Sequence, residues 1–206
     1  MNIKVSGITQ LKQLQQLDGL EIDFAGLVFI KDSPLFAGDK IDKAAIKNAD
    51  FDLKKVGIFL NPEMIDVLDA IDEYGLDVVQ LNGNESVEMC EGISAEVEVI
   101  KSFNITDGNA NIDKLVAAYD GVCDYYLFNM PKDGAEKFDW KALGKAKIEK
   151  PFFISGNVDI EDLTQLKSCT HPDYFGIDIG NKFEKETGVK DMGLILQFMQ
   201  GLKSKL

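Results

Sequence analysis

The sequence predicts an α/β fold, a single (β/α)8 TIM barrel that spans residues 1–206 as one domain. Two observations predict it: about eight short apolar runs alternate with amphipathic segments, and several of those runs are apolar throughout. Parallel strands that are covered on both faces have such continuous apolar runs. A doubly wound open sheet has similar patterns and is the alternative.

Eight segments have the length and composition of buried strands. They are Ile3–Val5, Phe24–Ile30, Lys55–Leu60, Val78–Leu81, Val97–Phe103, Tyr125–Phe128, Phe152–Ser155 and Tyr174–Ile179. Many of them end in or near a neutral polar residue, and these residues are Ser6, Asn61, Asn82, Asn104, Asn129, Ser155 and Asn157. In a barrel these positions form the rim where catalytic groups usually lie, so the predicted rim is rich in hydrogen-bonding groups and poor in acids and bases.

Amphipathic segments lie between the predicted strands. In Pro62–Tyr74 apolar residues recur at helical spacing, Asn61 is the expected N-cap, and Gly75 is expected to end the helix. Further helices are predicted at Glu85–Glu91, Ile112–Ala118, Ile160–Lys167 and Met192–Lys203, with weaker signals after Asp39 and after Trp140.

The charge balance is strongly acidic. The chain has 35 acidic and 22 basic residues, a net charge of -13, which argues against nucleic acid or an anionic membrane as a partner. All 22 basic residues are Lys, so no guanidinium is available to hold a carboxylate or phosphate in a bidentate grip. A small anion would still find backbone N–H groups at helix N-termini.

The cysteines and the N-terminal segment indicate a cytoplasmic protein. Cys90, Cys123 and Cys169 are widely spaced and odd in number, which is typical of free thiols that pack in the core of a protein in a reducing compartment. Strand-like sequence begins at Ile3, which predicts that no signal peptide is present. The longest nearly apolar run, Phe24–Ile30, is too short to span a bilayer.

Ordered motifs along nearly the whole chain match one known family. The matching stretches are Lys4–Thr9, Ala25–Phe29, Ser33-Pro34, Lys55–Phe59, Leu76–Gly83, Glu85-Ser86, Ile100-Lys101, Lys137–Trp140, Gly176–Asp178 and Gly188–Asp191. In these motifs the chain resembles the phosphoribosylanthranilate isomerase family. The resemblance implies a TIM barrel that converts N-(5'-phosphoribosyl)anthranilate to its carboxyphenylamino-deoxyribulose isomer in tryptophan biosynthesis. It also implies acid–base chemistry without a metal or organic cofactor.

The chain departs from the family pattern at three chemical positions. The resemblance puts the family's general base, a Cys, at Ser6, and its general acid, an Asp, at Asn129. It puts the Arg that binds the anthranilate carboxylate at Leu35. Further departures lie in loops that correspond to the family's substrate-binding loops, at Asn82–Glu85, Asp133–Lys137, Gly156-Asn157 and Gly180–Lys182.

Several residues have both a functional and a structural interpretation. Asp178 is either a rim acid or a structural hydrogen-bond acceptor, and Lys101 either binds ligand or forms an ion pair with Asp178 or another acid. Lys182 either contacts a phosphate or is a solvated loop residue. The substrate-binding candidates are Leu35, Asn82, Lys101, Ser155, Gly156, Asn157, Gly180, Asn181 and Lys182, and the catalytic candidates are Ser6, Asn129 and Asp178.

Residues outside those sets are interpreted as structural. We expect Asp139 and Trp140 to anchor the helix after the sixth strand, and His171 to be a turn residue away from the active face. The segment Glu184–Glu186 is expected to be a solvated loop face.

Two functions remain open from the sequence. The first is an active isomerase in which Asp178 shares the proton transfers, while Lys182, Gly156 and backbone N–H groups hold the phosphate. The second is an inactive or repurposed paralogue whose rim binds a polar small molecule or a protein. Under either, we expect a small phosphorylated or polar metabolite as partner and a monomer or homodimer as the assembly.

Overall fold

A computed structural model describes residues 1–105, 111–130, 143–144 and 146–204. Eight parallel strands follow one another around a closed barrel in chain order, which confirms the predicted barrel over the open sheet. They are β1 (Asn2–Ser6), β2 (Phe24–Val28), β3 (Lys54–Phe59), β4 (Val78–Leu81), β5 (Glu98–Asn104), β6 (Tyr125–Asn129), β7 (Phe152–Ser155) and β8 (Tyr174–Ile179). Pairing of β1 with β8 closes the barrel and sets Lys4 beside Asp178 in register.

Seven α-helices lie among the described residues, mostly in the connections between strands. They are α1 (Leu11–Asp18), α2 (Lys43–Lys47), α3 (Met64–Tyr74), α4 (Val87–Ser94), α5 (Ile112–Val116), α6 (Leu163–Lys167) and α7 (Met192–Lys203). Short 3₁₀ turns occur at Ala37–Asp39, Ile160–Asp162 and Asn181–Phe183. Among the described residues, no helix is long and apolar enough to cross a bilayer.

The start of α3 differs from the prediction. The helix begins at Met64 after Glu63, and Asn61 is not its N-cap. Asn61 instead adopts a left-handed backbone with φ of 45°, which Asn tolerates better than most residues. Its side-chain oxygen accepts from the backbone N–H of Asn84 at 2.7 Å and so ties two rim loops together. Gly75 ends α3 in the left-handed conformation, as predicted.

One helix and one two-stranded hairpin were not predicted. Helix α1 has no side-chain N-cap and contains several Gln residues, but Leu14 and Leu17 are fully buried. After β8, the short strands β9 (Glu184–Glu186) and β10 (Val189–Lys190) form an antiparallel hairpin. The expectation of a solvated loop at residues 184–186 is therefore wrong for Glu184, whose carboxylate is largely buried against Lys190.

Aromatic rings fill the lower part of the barrel interior. Phe24 and Phe153 pack edge to face with ring centroids 5.2 Å apart, and Tyr125 and Phe175 pack around them. All four residues lie near the N-terminal ends of their strands. Because these rings occupy the lower interior, open space is left at the C-terminal ends, where the site lies.

Acidic residues at the opposite end of the barrel have structural partners. Asp23, Asp77 and Asp124 each precede an even-numbered strand and accept a backbone N–H from the preceding strand at 2.7–2.8 Å. His171 lies there too: its Nδ1 accepts from the backbone N–H of Asp173 at 3.1 Å. His171 is thus a turn residue before β8, as predicted.

Candidate active site

A cavity of about 440 Å³ opens at the C-terminal ends of the strands. Of the predicted site residues, it brings together Ser6, Leu35, Asn82, Asn129, Ser155, Asp178, Gly180 and Asn181. Four others, Lys101, Gly156, Asn157 and Lys182, lie outside its lining. The predicted residues Asp133–Lys137, Asp139 and Trp140 lie outside the described part of the chain.

The cavity lining combines polar and aliphatic side chains and carries little unbalanced charge. Amides and hydroxyls come from Ser6, Ser33, Gln80, Asn82, Ser102, Asn104, Asn129, Ser155 and Asn181, and most of the remaining lining side chains are aliphatic. The two carboxylates, Asp178 and Glu184, each pair with a buried lysine, Lys4 and Lys190. Such a lining offers hydrogen-bonding groups together with aliphatic surface.

Ser6 is part of a hydrogen-bonded network with Asp178. The Ser6 hydroxyl donates to Asp178 Oδ1 at 2.6 Å, and the ammonium group of Lys4 donates to the same oxygen at 3.0 Å and to Ser6 Oγ. Ser155 donates to the second carboxylate oxygen at 3.0 Å. The alternation of strand side chains puts Lys4 and Ser6 on one face of β1, and the barrel closure brings Asp178 to them.

Burial dominates the electrostatics of Lys4. Its side chain is fully buried, and this desolvation lowers the pKa of Lys4, whereas the adjacent Asp178 carboxylate raises it by a smaller amount. The Ser6 hydroxyl donates its proton to a carboxylate that Lys4 also contacts. This arrangement orients the hydroxyl as a fixed donor and neutralises most of the charge beneath the cavity.

Asn129 forms an amide pair with Asn104. The two residues are in register on β5 and β6, and Asn129 Nδ2 donates to Asn104 Oδ1 at 2.7 Å. A carboxamide has no proton to give near neutral pH, so this pair supplies hydrogen bonds but no acid catalysis. Leu35 contributes an apolar surface, since it lines the cavity and packs against the hydrophobic cluster of the barrel interior.

Lys101 is an ion-pair partner of Glu85. Its ammonium group lies 2.9 Å from Glu85 Oε2 and 2.7 Å from the carbonyl oxygen of Gly83, and both charged side chains are at most 2% exposed. Burial acts to raise the pKa of Glu85, but hydrogen bonds from Lys101 and from the backbone N–H of Asn61 outweigh it, so the pKa lies below its ordinary value. Of the two interpretations of Lys101, ligand binding and an ion pair with an acid, the structure therefore shows the ion pair.

The loops after β7 and β8 expose few cationic groups to the cavity. Gly156 adopts a φ of 116°, and a Cβ there would lie 1.9 Å from the carbonyl oxygen of Met130. Lys182 is exposed, and Lys190 is buried with its ammonium group on Glu184. Burial lowers the pKa of Lys190 against the opposing effect of Glu184. Among the described residues, no unpaired buried cation lines these loops.

Sequence reasoning missed four partners of the site: Lys4, Gln80, Glu85 and Lys190. Lys4 could have been predicted as a partner of Ser6, because residues two apart on a strand lie on the same face. Gln80 is 3% exposed and donates to Asn82 Oδ1 at 2.8 Å. Its own side-chain oxygen is buried with no hydrogen-bond partner among the described residues, which is unusual for a buried polar atom.

A closed barrel of eight parallel strands with a polar cavity at their C-terminal ends defines the class of (β/α)8 enzyme scaffolds. Comparisons with known proteins specify the family. The family model "N-(5'phosphoribosyl)anthranilate (PRA) isomerase" matches residues 3–201. The chain belongs to this family.

Relatives match over nearly the full length of the chain. An N-(5'-phosphoribosyl)anthranilate isomerase from Parabacteroides distasonis is 32% identical and aligned over 97% of this chain and 92% of its own. One from Phocaeicola vulgatus is 28% identical over all of both chains. The solved structure of phosphoribosyl anthranilate isomerase from Thermotoga maritima has a TM-score of 0.81 at 24% identity over 98% of each chain, a likeness of fold.

Proposed function

We propose that this family member does not catalyse the family's isomerisation and instead uses its cavity to bind an uncharged, polar, sugar-like molecule. One observation carries the proposal: Ser6, Asn129 and Leu35 line the same cavity. The resemblance assigns these positions to the family's base, acid and carboxylate clamp. A neutral side chain replaces each of the three chemical groups that the reaction needs.

The chemical cost of these replacements is large. An unperturbed Cys thiol has a pKa of about 8.5, so a small shift yields thiolate, whereas a serine hydroxyl needs a partner base. General acid or base catalysis typically contributes roughly 10²- to 10⁴-fold each. Loss of both therefore costs on the order of 10⁴- to 10⁸-fold, or about 5–11 kcal/mol of barrier.

The lining supports the binding of an uncharged polar ligand. Carboxamides such as Asn82 and Asn129 both donate and accept hydrogen bonds, as sugar hydroxyls do. Gln80 also lines the cavity and donates to Asn82 Oδ1 at 2.8 Å, which orients the Asn82 carboxamide. Gly180 and Asn181 add backbone and side-chain polar groups at the edge of the cavity.

One observation favours the second candidate, an active isomerase. Asp178 lies at the cavity with an oxygen 2.6 Å from Ser6 Oγ, so its carboxylate is a possible proton acceptor there. In this candidate the backbone around Gly156 and Asn157, together with Lys182, would hold the phosphate. The required ligand is anionic, and it would meet a cavity with no unpaired buried lysine among the described residues.

Rescue of a tryptophan auxotroph that lacks this isomerase separates the two candidates. The wild-type chain is compared with the triple variant Ser6→Cys, Leu35→Arg, Asn129→Asp, and both are checked for soluble expression. We expect no rescue by the wild type; growth with the triple variant alone would show that the scaffold is intact. Robust rescue by the wild type would overturn the proposal, and loss of that rescue in Asp178→Ala would then support the second candidate.

The proposal includes a cytoplasmic protein that is a monomer or homodimer. Three free cysteines support a reducing location. A solved structure of the Thermotoga maritima relative describes that protein as dimeric and reports monomers generated from it. Sedimentation of the purified chain would decide the assembly.

A further inference from the structure

One side of the central cavity is lined by aliphatic side chains. On β2 and β3, and at the positions just beyond them, the lining residues are Val28, Ile30, Ile58 and Leu60. Val28 and Ile58 are in register, and residues two positions apart on a strand lie on the same face, so Ile30 and Leu60 form a second layer above them. We call these four residues, together with Leu35 of the loop after β2, the aliphatic wall.

The polar side of the cavity lies across the barrel from the aliphatic wall. Asn104, Asn129 and Ser155 line the cavity in register on β5, β6 and β7, and Asn82 on β4 extends this side. In the closed barrel of eight strands, β6 and β7 stand four strands away from β2 and β3. Among the described lining residues on β4–β8, Leu127 is the one aliphatic side chain, and it is only 2% exposed. The cavity is therefore divided into an aliphatic and a hydrogen-bonding half.

The aliphatic wall is held in place by packing. Four of its five residues belong to, or pack against, the hydrophobic cluster of the barrel interior. The two Cδ atoms of Leu35 lie 3.0 and 3.3 Å from the positions that a Cβ on Gly7 or Gly188 would take, so Leu35 packs closely against both glycines. Ser33, which also lines this side, accepts the backbone N–H of Leu35 at 3.1 Å. The wall is thus a preformed apolar surface, and covering it with an apolar group is favourable.

The aliphatic wall continues out of the barrel. A second cavity, of about 670 Å³, lies between the loop after β2 and α3, and Ile30 and Leu60 line both cavities. Leu60 is 49% exposed, and the side chains of Phe29 and Phe36 line the second cavity beyond it. Six carboxylates and two lysines also line the second cavity, which disfavours an anionic group there. An uncharged apolar chain that lies on the wall would therefore have room to extend over Leu60.

We propose that the ligand is an uncharged glycoside with an apolar aglycone, whose sugar hydroxyls bind the polar side of the cavity and whose aglycone lies on the aliphatic wall and extends over Leu60. This inference rests on the proposed function, and it names the chemical class of the ligand. A free sugar would leave the aliphatic wall in contact with water. A purely apolar molecule would leave the amides and hydroxyls of the polar side without partners. A glycoside with an apolar aglycone is divided in the same way as the cavity.

Three small molecules that divide the ligand into its parts test the proposal. Methyl β-D-glucopyranoside, hexyl β-D-glucopyranoside and 1-hexanol are each titrated into the full chain below the concentration at which micelles form, and protein amide chemical shifts are followed by NMR. We expect the hexyl glucoside to bind about 30-fold more tightly than the methyl glucoside, because about half of the surface of its added methylene groups would be buried. It should also shift amides of β2 and β3 that the methyl glucoside leaves unchanged. 1-Hexanol should bind at least about tenfold more weakly than the hexyl glucoside, because it lacks the sugar hydroxyls.

Variants show which half of the cavity recognises each part. Leu60→Asn, at a half-exposed position, should reduce the preference for the hexyl glucoside to about tenfold or less, because the aglycone loses part of its apolar contact. The matched control Leu196→Asn makes the same change at a position on α7 that is 41% exposed and lines neither cavity, so the preference should stay intact. Asn104→Ala should weaken both glucosides by the same factor, about fivefold, because they carry the same sugar.

The outcomes separate this inference from the proposed function on which it rests. Equal affinities of the two glucosides would overturn the inference and leave the proposed function standing. Equal affinities of 1-hexanol and the hexyl glucoside would overturn the proposed function, because the sugar would then contribute nothing to binding. Binding of none of the three molecules would overturn both. A loss of the preference in Leu196→Asn as large as in Leu60→Asn would overturn the inference, because the hexyl group would then bind away from the aliphatic wall.

Discussion

Glu85→Gln is expected to be one of the most destabilising conservative substitutions in the chain. Glu85 accepts from Lys101 at 2.9 Å and from the backbone N–H groups of Asn61 and Gly83 at 2.9 Å each. It therefore holds the loops after β3 and β4 to Lys101 in the middle of β5. The substitution keeps the shape of the side chain but removes its charge and turns one acceptor into a donor.

The magnitude follows from burial. Removing one partner of a buried ion pair costs about 3–5 kcal/mol, because the remaining charge stays desolvated. In the variant, Lys101 keeps its hydrogen bonds to the carbonyl oxygens of Gly83 and Leu81, at 2.7 and 3.3 Å. We therefore expect a loss in the free energy of unfolding at the lower end of that range, about 3 kcal/mol. For a domain of this size that loss lowers the Tm by about 6–12 °C. Replacing both charges, with Lys101→Met and Glu85→Gln, should cost less than Glu85→Gln alone.

Urea unfolding at about pH 7, followed by circular dichroism, measures these differences. The control is Asp72→Asn, which removes an acid from the exposed pair with Lys47 and should cost less than about 1 kcal/mol. Because the pKa of Glu85 is lowered by folding, its contribution is complete above the unfolded value of about 4.3 and is lost as the pH falls through the folded value. The difference between wild type and Glu85→Gln should therefore shrink below about pH 4.

Two results would refute this reasoning. A cost for Glu85→Gln no larger than for Asp72→Asn would mean that the buried pair behaves like an exposed one. A double variant that loses the sum of the two single losses would mean that Lys101 and Glu85 do not depend on each other.

Three further predictions concern the site and the scaffold. Asp178→Asn should lower the free energy of unfolding by about 3 kcal/mol at neutral pH. Because burial lowers the pKa of Lys4 in the folded state, the urea midpoint of the variant should recover toward that of the wild type as the pH rises toward about 10. A difference in midpoint that does not change with pH would contradict this. Gly156→Ala should lower the free energy of unfolding by at least about 3 kcal/mol, because the new Cβ would clash with backbone atoms at a positive φ. The control Gly180→Ala adds a Cβ in open space and should lower it by less than about 1 kcal/mol. Equal shifts in Tm would refute the argument. Asp191→Ala should cost about 1 kcal/mol, because it removes acceptors for two N–H groups of α7, and an unchanged thermal midpoint would contradict that role.

The positions of the strands were predictable because their signal is local. Val78–Leu81, Phe152–Ser155 and Tyr174–Ile179 form strands with the predicted bounds, since continuous apolar runs between polar residues leave little choice. Helix α1 was missed because its Gln-rich sequence and uncapped start give a weak signal, and tertiary burial of two leucines stabilises it. The predicted N-cap of α3 was wrong because the side chain of Asn61 accepts a hydrogen bond from the neighbouring loop rather than from its own helix.

The sequence by itself determined the barrel, the family and the rim positions, including the neutral residues Ser6, Leu35 and Asn129. Only the tertiary structure decided which charges meet: Lys4 with Asp178 across 174 positions of the chain, Lys101 with Glu85, and the acidic face of α3 beside the central cavity. Apolar periodicity and polar residues at strand ends are local properties, so they can be recognised within a single segment of the chain. Ion pairs and cavities form between segments that barrel closure brings together, so their chemistry depends on distances that no single segment contains.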